Sequence, residues 1–156
     1  LDGLSEDAAA EAWNQVVLRD GAAAVIDALR EGGHTVAILT GGFETGVAAA
    51  LDAAGTSVDT IVTNRLPVEA GALTGEVEGP LIEGTKDDAL ESLAAEYGVE
   101  MSGTVAVGDG ANDLPMLEVA GLAVGFEPKP AVEPSCDTVV ASMQELLATL
   151  ESRGVV

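Results

Sequence analysis

Cysteine, aromatic residues and positive charge are all scarce in this 156-residue chain. Its one cysteine, Cys136, can form no internal disulfide, which fits a reducing cytoplasm. Six Lys and Arg stand against 27 Asp and Glu, a net charge of -21. That charge repels the phosphate backbone of nucleic acids and the anionic face of a membrane, so neither is an expected partner. No run is long and apolar enough to span a bilayer, and no secretory signal peptide is recognisable. What is abundant is acid, spread through the predicted helices as on the solvated surfaces of salt-adapted microbial proteins. A hydrophobic content of 47% suits a compact domain with a sizeable core. The chain opens on Leu1, which suggests a processed or missing start, and nothing in it sets an oligomeric state.

Periodicity predicts strands alternating with helices, hence a parallel sheet. Ser5, Glu6 and Asp7 open a helix carrying Ala9, Ala12, Trp13 and Val16, and Gly21 separates it from a second helix with Val25, Ile26 and Leu29. A strand over 35–39 turns at Thr40-Gly41-Gly42-Phe43 into a helix with Val47 and Leu51, and another strand over 58–63 ends at Asn64. Residues 65–82 depart from the alternation, and the turn signals Ala70-Gly71 and Gly79-Pro80 predict a small antiparallel hairpin. Lys86 starts a helix through Leu90, Leu93, Ala94 and Tyr97. Strands over 104–107, 122–126 and 138–141 follow, then a last helix through Met143, Leu146, Leu147 and Leu150. Trp13 and Tyr97 are expected to pack in a core or interface, His34 to lie in a loop, and Cys136 to be buried rather than reactive.

The chemistry concentrates in Val105–Met116, where an apolar strand, predicted buried, runs into Gly108-Asp109-Gly110-Ala111-Asn112-Asp113. In open α/β sheets ligands bind beyond the carboxyl ends of the strands. Three features are predicted on that one edge: Thr40-Gly41-Gly42, Lys86, and the acidic loop. A hydroxyl and free amides at a helix start suit phosphate oxygens. A lysine would neutralise a transferring phosphoryl group, and a carboxylate at Asp109 could hold Mg2+. Each feature taken singly has a plainer explanation: a capped turn for the acids, a strand-to-helix turn for Thr40-Gly41-Gly42, a surface position for Lys86. Their conjunction is what favours a site. Lys129, the only other lysine, sits in a Pro-rich segment and offers no better candidate. An EF-hand is excluded because Ala111 stands where a ligand is required.

In this order, Leu39-Thr40-Gly41-Gly42-Phe43, Thr85-Lys86 and Val107-Gly108-Asp109-Gly110-Ala111-Asn112-Asp113-Leu114-Pro115-Met116 resemble motifs two, three and four of the haloacid dehalogenase-like phosphohydrolases. The resemblance runs from about Gly21 onward and includes the hairpin and Asn64. It implies a Rossmann-like parallel sheet with flanking helices and a small β-hairpin. It also implies Mg2+-dependent hydrolysis of a small phosphomonoester, with O-phospho-L-serine the foremost substrate and another phosphorylated metabolite the alternative. By the same resemblance Thr40, Gly41, Gly42 and Asn112 bind phosphate, Lys86 stabilises the phosphoryl group, Asp109 ligates Mg2+, and Asp113 supports catalysis. Cation-pumping ATPases share a similar acidic stretch, but the membrane segments are lacking here and the Thr-Gly-Gly-Phe turn is foreign to them.

The family's nucleophile belongs to an Asp-x-Asp-x-Thr motif on its first strand, and no two aspartates of this chain are separated by one residue. The expectation is therefore a core lacking its first strand: residues 1–20 the end of a helical cap and linker, residues 21–156 the core domain. On its own such a chain is expected to be inactive, a phosphate-binding fragment or module.

Overall fold

The computed structural model describes residues 2–156, which form two compact units, Leu1–Glu83 and Gly84–Val156. Among the described residues no helix is long and apolar enough to cross a membrane. The expected α/β architecture, parallel strands with flanking helices, is present in both units.

In the first unit, helix α1 (Glu6–Trp13) is capped by Ser5, whose Oγ accepts from the Ala8 amide at 3.3 Å. It ends at Trp13, so Val16 lies beyond it in a turn whose amide donates to Trp13 O. The Trp13 ring packs on Phe43 with centroids 5.3 Å apart, as expected of a packing residue. Helix α2 (Ala22–Glu31) starts from Gly21, whose φ of 84° makes the predicted break. Strand β1 (Ala37–Phe43), helix α3 (Glu44–Ala54) and strand β2 (Thr60–Asn64) form one β-α-β unit with parallel pairing.

Two boundaries here differ from the sequence expectation. β1 starts later than 35 and runs on through the predicted turn to Phe43. Val36 is bound instead by Asp59, whose Oδ2 accepts its amide at 2.8 Å, and pairing resumes at Phe43 opposite Asn64. The antiparallel hairpin within 65–82 is present, with its strands short and an antiparallel bridge between Arg65 and Glu78 at its base. Strands β3 (Val68–Glu69) and β4 (Ala72–Leu73) are joined by Ala70 and Gly71, with φ of 50° and 80°. Gly79-Pro80 does not close a hairpin but opens the short helix α4 (Pro80–Glu83), since proline's fixed φ suits a first helical position.

In the second unit, helix α5 (Lys86–Tyr97) begins where Asp88 Oδ2 accepts from the Thr85 amide at 3.3 Å and ends at Gly98, φ 67°. Tyr97 is exposed rather than packed in a core. Strands β5 (Val105–Gly108), β6 (Leu122–Phe126) and β7 (Thr138–Val140) pair in parallel in that order, with helix α6 (Leu114–Val119) after β5 and helix α7 (Met143–Ser152) at the end. α7 is set by reciprocal capping: Ser142 Oγ accepts from Glu145 N at 3.1 Å, and Glu145 Oε2 from Ala141 N at 2.7 Å. Its stripe buries Leu146 and Leu150.

Central β6 is buried from Ala123 to Phe126. β5 is not wholly buried as the sequence suggests: Val107 is 36% exposed. The reason is topological. Among the described residues β5 pairs only with β6, and β1 only with β2, so each has one edge without a neighbour. Cys136 is half-buried, its thiol pushed up by burial and by the charges of Glu133 and Asp137, consistent with an inert side chain. His34 lies in an exposed loop.

Candidate functional site

At the carboxyl end of β1 the register slips: Leu39 pairs with Val62 and Phe43 with Asn64, so Thr40, Gly41 and Gly42 bulge from the ladder. Thr40 Oγ1 accepts from the Gly42 amide at 3.0 Å. The Gly42 amide is therefore engaged within the loop, while the Thr40 hydroxyl keeps its own proton for another acceptor. Gly41 is exposed, and a Cβ there would meet nothing within 4 Å, so its backbone faces open space. α3 follows at once, capped by no side chain, which leaves its first amides available to an anion.

The loop is braced from beneath by a residue whose part the sequence did not specify. Asn64 is 6% exposed, and its Nδ2 reaches Gly41 O at 3.4 Å, while its Oδ1 is buried without a partner. Gly79 packs directly on it: a Cβ at 79 would stand 2.7 Å from Asn64 Cα and Oδ1, and φ is 147° there. Gly79→Ala is accordingly expected to cost about 2 kcal/mol, measured by urea unfolding, because Asn64 and the Gly41 carbonyl it holds must shift.

In the second unit Asp109 directly follows β5, with its side chain exposed, and Ala111–Asp113 forms a single 3-10 turn. Asn112 is exposed on that turn. Asp113 turns inward and is 7% exposed. Its Oδ2 accepts from the Asp109 amide at 2.8 Å and the Gly110 amide at 3.2 Å, and its Oδ1 lies 2.5 Å from Lys86 Nζ. Burial pushes the Asp113 carboxyl up. The Lys86 ammonium and the two amides pull harder the other way and hold it below the usual carboxylate value. This pair also explains a local oddity. Lys86 is the first residue of α5, where the helix dipole disfavours a cation, and Asp113 compensates it.

Lys129, set aside on sequence grounds, reaches the same loop. Its amide donates to Asp109 O at 2.9 Å, and its Nζ lies 3.7 Å from where a Cβ on residue 110 would stand. The only available hint was that a chain so acidic keeps just two lysines.

Among the described residues no three His, Cys, Asp or Glu side chains gather as a metal cluster. Asp113 is committed to Lys86 and two amides, which leaves Asp109 as the one carboxylate at the strand end able to face a cation. A single carboxylate oxygen suits Mg2+, which takes one or two carboxylates and fills its remaining positions with phosphate and water.

A family model described as haloacid dehalogenase-like hydrolase matches residues 1–118. The phosphoserine phosphatase of Halobacterium salinarum is 54% identical over 153 residues, 98% of this chain and 72% of that protein. The phosphoserine phosphatase of Methanocaldococcus jannaschii is 36% identical over 141 residues, 90% of this chain and 66% of that one. Among solved structures, a substrate-bound phosphoserine phosphatase complex gives a TM-score of 0.86 at 35% identity, covering 96% of this chain and 71% of its own. A phospho-aspartyl intermediate analogue of phosphoserine phosphatase gives 0.85 at 35% identity, with coverage of 96% and 72%.

Proposed function

This chain belongs to the haloacid dehalogenase-like hydrolase family, and on that premise we propose that it carries the phosphate- and metal-binding part of a Mg2+-dependent phosphoserine phosphatase. Residues 1–20 are the end of a cap and linker, and residues 21–156 the core. The observation that carries the reading is the Lys86–Asp113 pair locked to the Asp109 and Gly110 amides, a preorganised cation beside a free carboxylate. Such fixed charges act on a phosphoryl group without reorganising as its charge develops.

In this reading the Thr40 hydroxyl and the Gly41 amide hold phosphate oxygens, with the uncapped start of α3 adding its dipole. Lys86 places its ammonium against the transferring group, and Asp113 holds that ammonium in position. Asn112, exposed on the turn, contributes a further phosphate contact. Asp109 would hold Mg2+, which when bound neutralises charge on the phosphoryl oxygens. Transfer through an aspartyl-phosphate requires an attacking carboxylate, and an Asp-x-Asp pair is not among these 156 residues. The reaction accordingly needs that aspartate from polypeptide outside them.

The test is phosphate release from a panel of phosphorylated metabolites by the protein bearing that aspartate. Phosphoserine is expected to be preferred, and EDTA to reduce release to background. Undiminished release in EDTA, or preference for another phosphomonoester, would overturn the assignment. The missing Asp-x-Asp favours a second outcome for the 156-residue chain by itself: binding of inorganic phosphate without turnover.

A further inference from the structure

We infer that Lys129 is a second phosphate-binding lysine of this site, an inference that rests on the phosphatase reading above. The chain has two lysines in a net charge of -21, and both reach the 109–113 loop. Their electrostatic situations differ. Lys86 is already paired with Asp113 at 2.5 Å, which fixes its ammonium in place. Lys129 makes no ion pair among the described residues, although Asp109 and Asp113 are close in sequence to the glycine it approaches.

Its position is fixed rather than incidental. Pro128 and Pro130 restrict the backbone on either side. The Lys129 amide donates to Asp109 O at 2.9 Å, and its carbonyl accepts from Val132 and Glu133 at 2.8 and 3.2 Å. Three hydrogen bonds thus hold the residue from which the side chain extends, and its Nζ comes to 3.7 Å from the Cβ position of residue 110. An uncompensated ammonium at the mouth of the acidic loop is what a dianionic phosphate requires to approach a surface that otherwise repels it. Side-chain length sets the reach, and the charge supplies a charge-assisted hydrogen bond to a phosphate oxygen.

Titration of inorganic phosphate into the 156-residue chain, followed by the Asp109 and Gly110 amide resonances, tests this. Lys129→Gln is expected to weaken phosphate binding about five- to tenfold, and Lys129→Arg to stay within about twofold of the native chain. The difference should shrink in 1 M NaCl, where the Debye length is about 3 Å. Lys129 is exposed, so both variants should melt as the native chain does. Phosphate binding by Lys129→Gln as tight as native overturns the inference and leaves the phosphatase reading standing. So does weakening toward phosphoserine alone, which assigns the ammonium to the carboxylate. A native chain that binds no phosphate removes both.

Discussion

Asp113→Ala is expected to unfold the site and to cost about 4 kcal/mol of stability, the scale for removing one partner of a buried ion pair. The residue is 7% exposed and serves three donors at once: Lys86 Nζ, Asp109 N and Gly110 N. Truncation strands all three. The ammonium of Lys86 is then left with 15% side-chain exposure and no counter-charge, so it swings out to water. That movement removes the cation that the proposed reading sets against phosphate, and phosphate affinity should then fall about ten- to a hundredfold. Urea unfolding and phosphate titration measure the two losses separately. A variant with native stability and native phosphate affinity would refute the role given to the pair.

The same carboxyl sets an acid limit. Its folded value is depressed below the 3.8 of a free aspartate, so its stabilisation is complete above that pH and is lost as pH falls through the lower folded value. The native chain should therefore lose stability on acidification below 3.8 more steeply than Asp113→Ala, which has no such group to protonate.

Gly108→Ala is the second large effect, and it comes from space alone. A Cβ on residue 108 would stand 2.4 Å from Asp113 Cβ, 2.7 Å from Cγ and 2.8 Å from Oδ2. The backbone at 108 is ordinary strand, so no left-handed conformation is at issue. Alanine fits a strand better than glycine by a few tenths of a kcal/mol, while an overlap of this size costs about 3 kcal/mol, so the overlap decides the sign. Relief requires Asp113 to move away, which breaks the same bonds that Asp113→Ala removes. The double variant is therefore expected to lose less stability than the sum of the two single losses. Strict additivity in urea midpoints would show that Gly108 and Asp113 act independently.

The order of strands and helices was legible because each segment declares itself within a few residues. Ser5 with Glu6 and Asp7, the stripe of Leu146 and Leu150, and the apolar run 122–126 are local signals, and they appear where expected. Boundaries failed where a distant group intervened. Asp59 takes Val36 away from the ladder, and Asn64 draws Phe43 back into strand pairing beyond the bulge. Tyr97 lies outside the core because the burial of its helical stripe stops at Ala94.

The site divides in the same way. The sequence by itself carried the family resemblance, because its glycines, acids and lysine stand in a fixed order that a linear motif records. It also determined what is missing, since an Asp-x-Asp pair is a matter of adjacency alone. Only the tertiary structure decided which acid does what. Asp109 and Asp113 look equivalent in one loop, yet one is exposed and the other is buried against Lys86, 27 residues away. The same long-range folding placed Asn64 under Gly41 and brought Lys129 to Gly110. Burial and ion pairing are set by groups far apart in the chain, and local spacing carries no record of them.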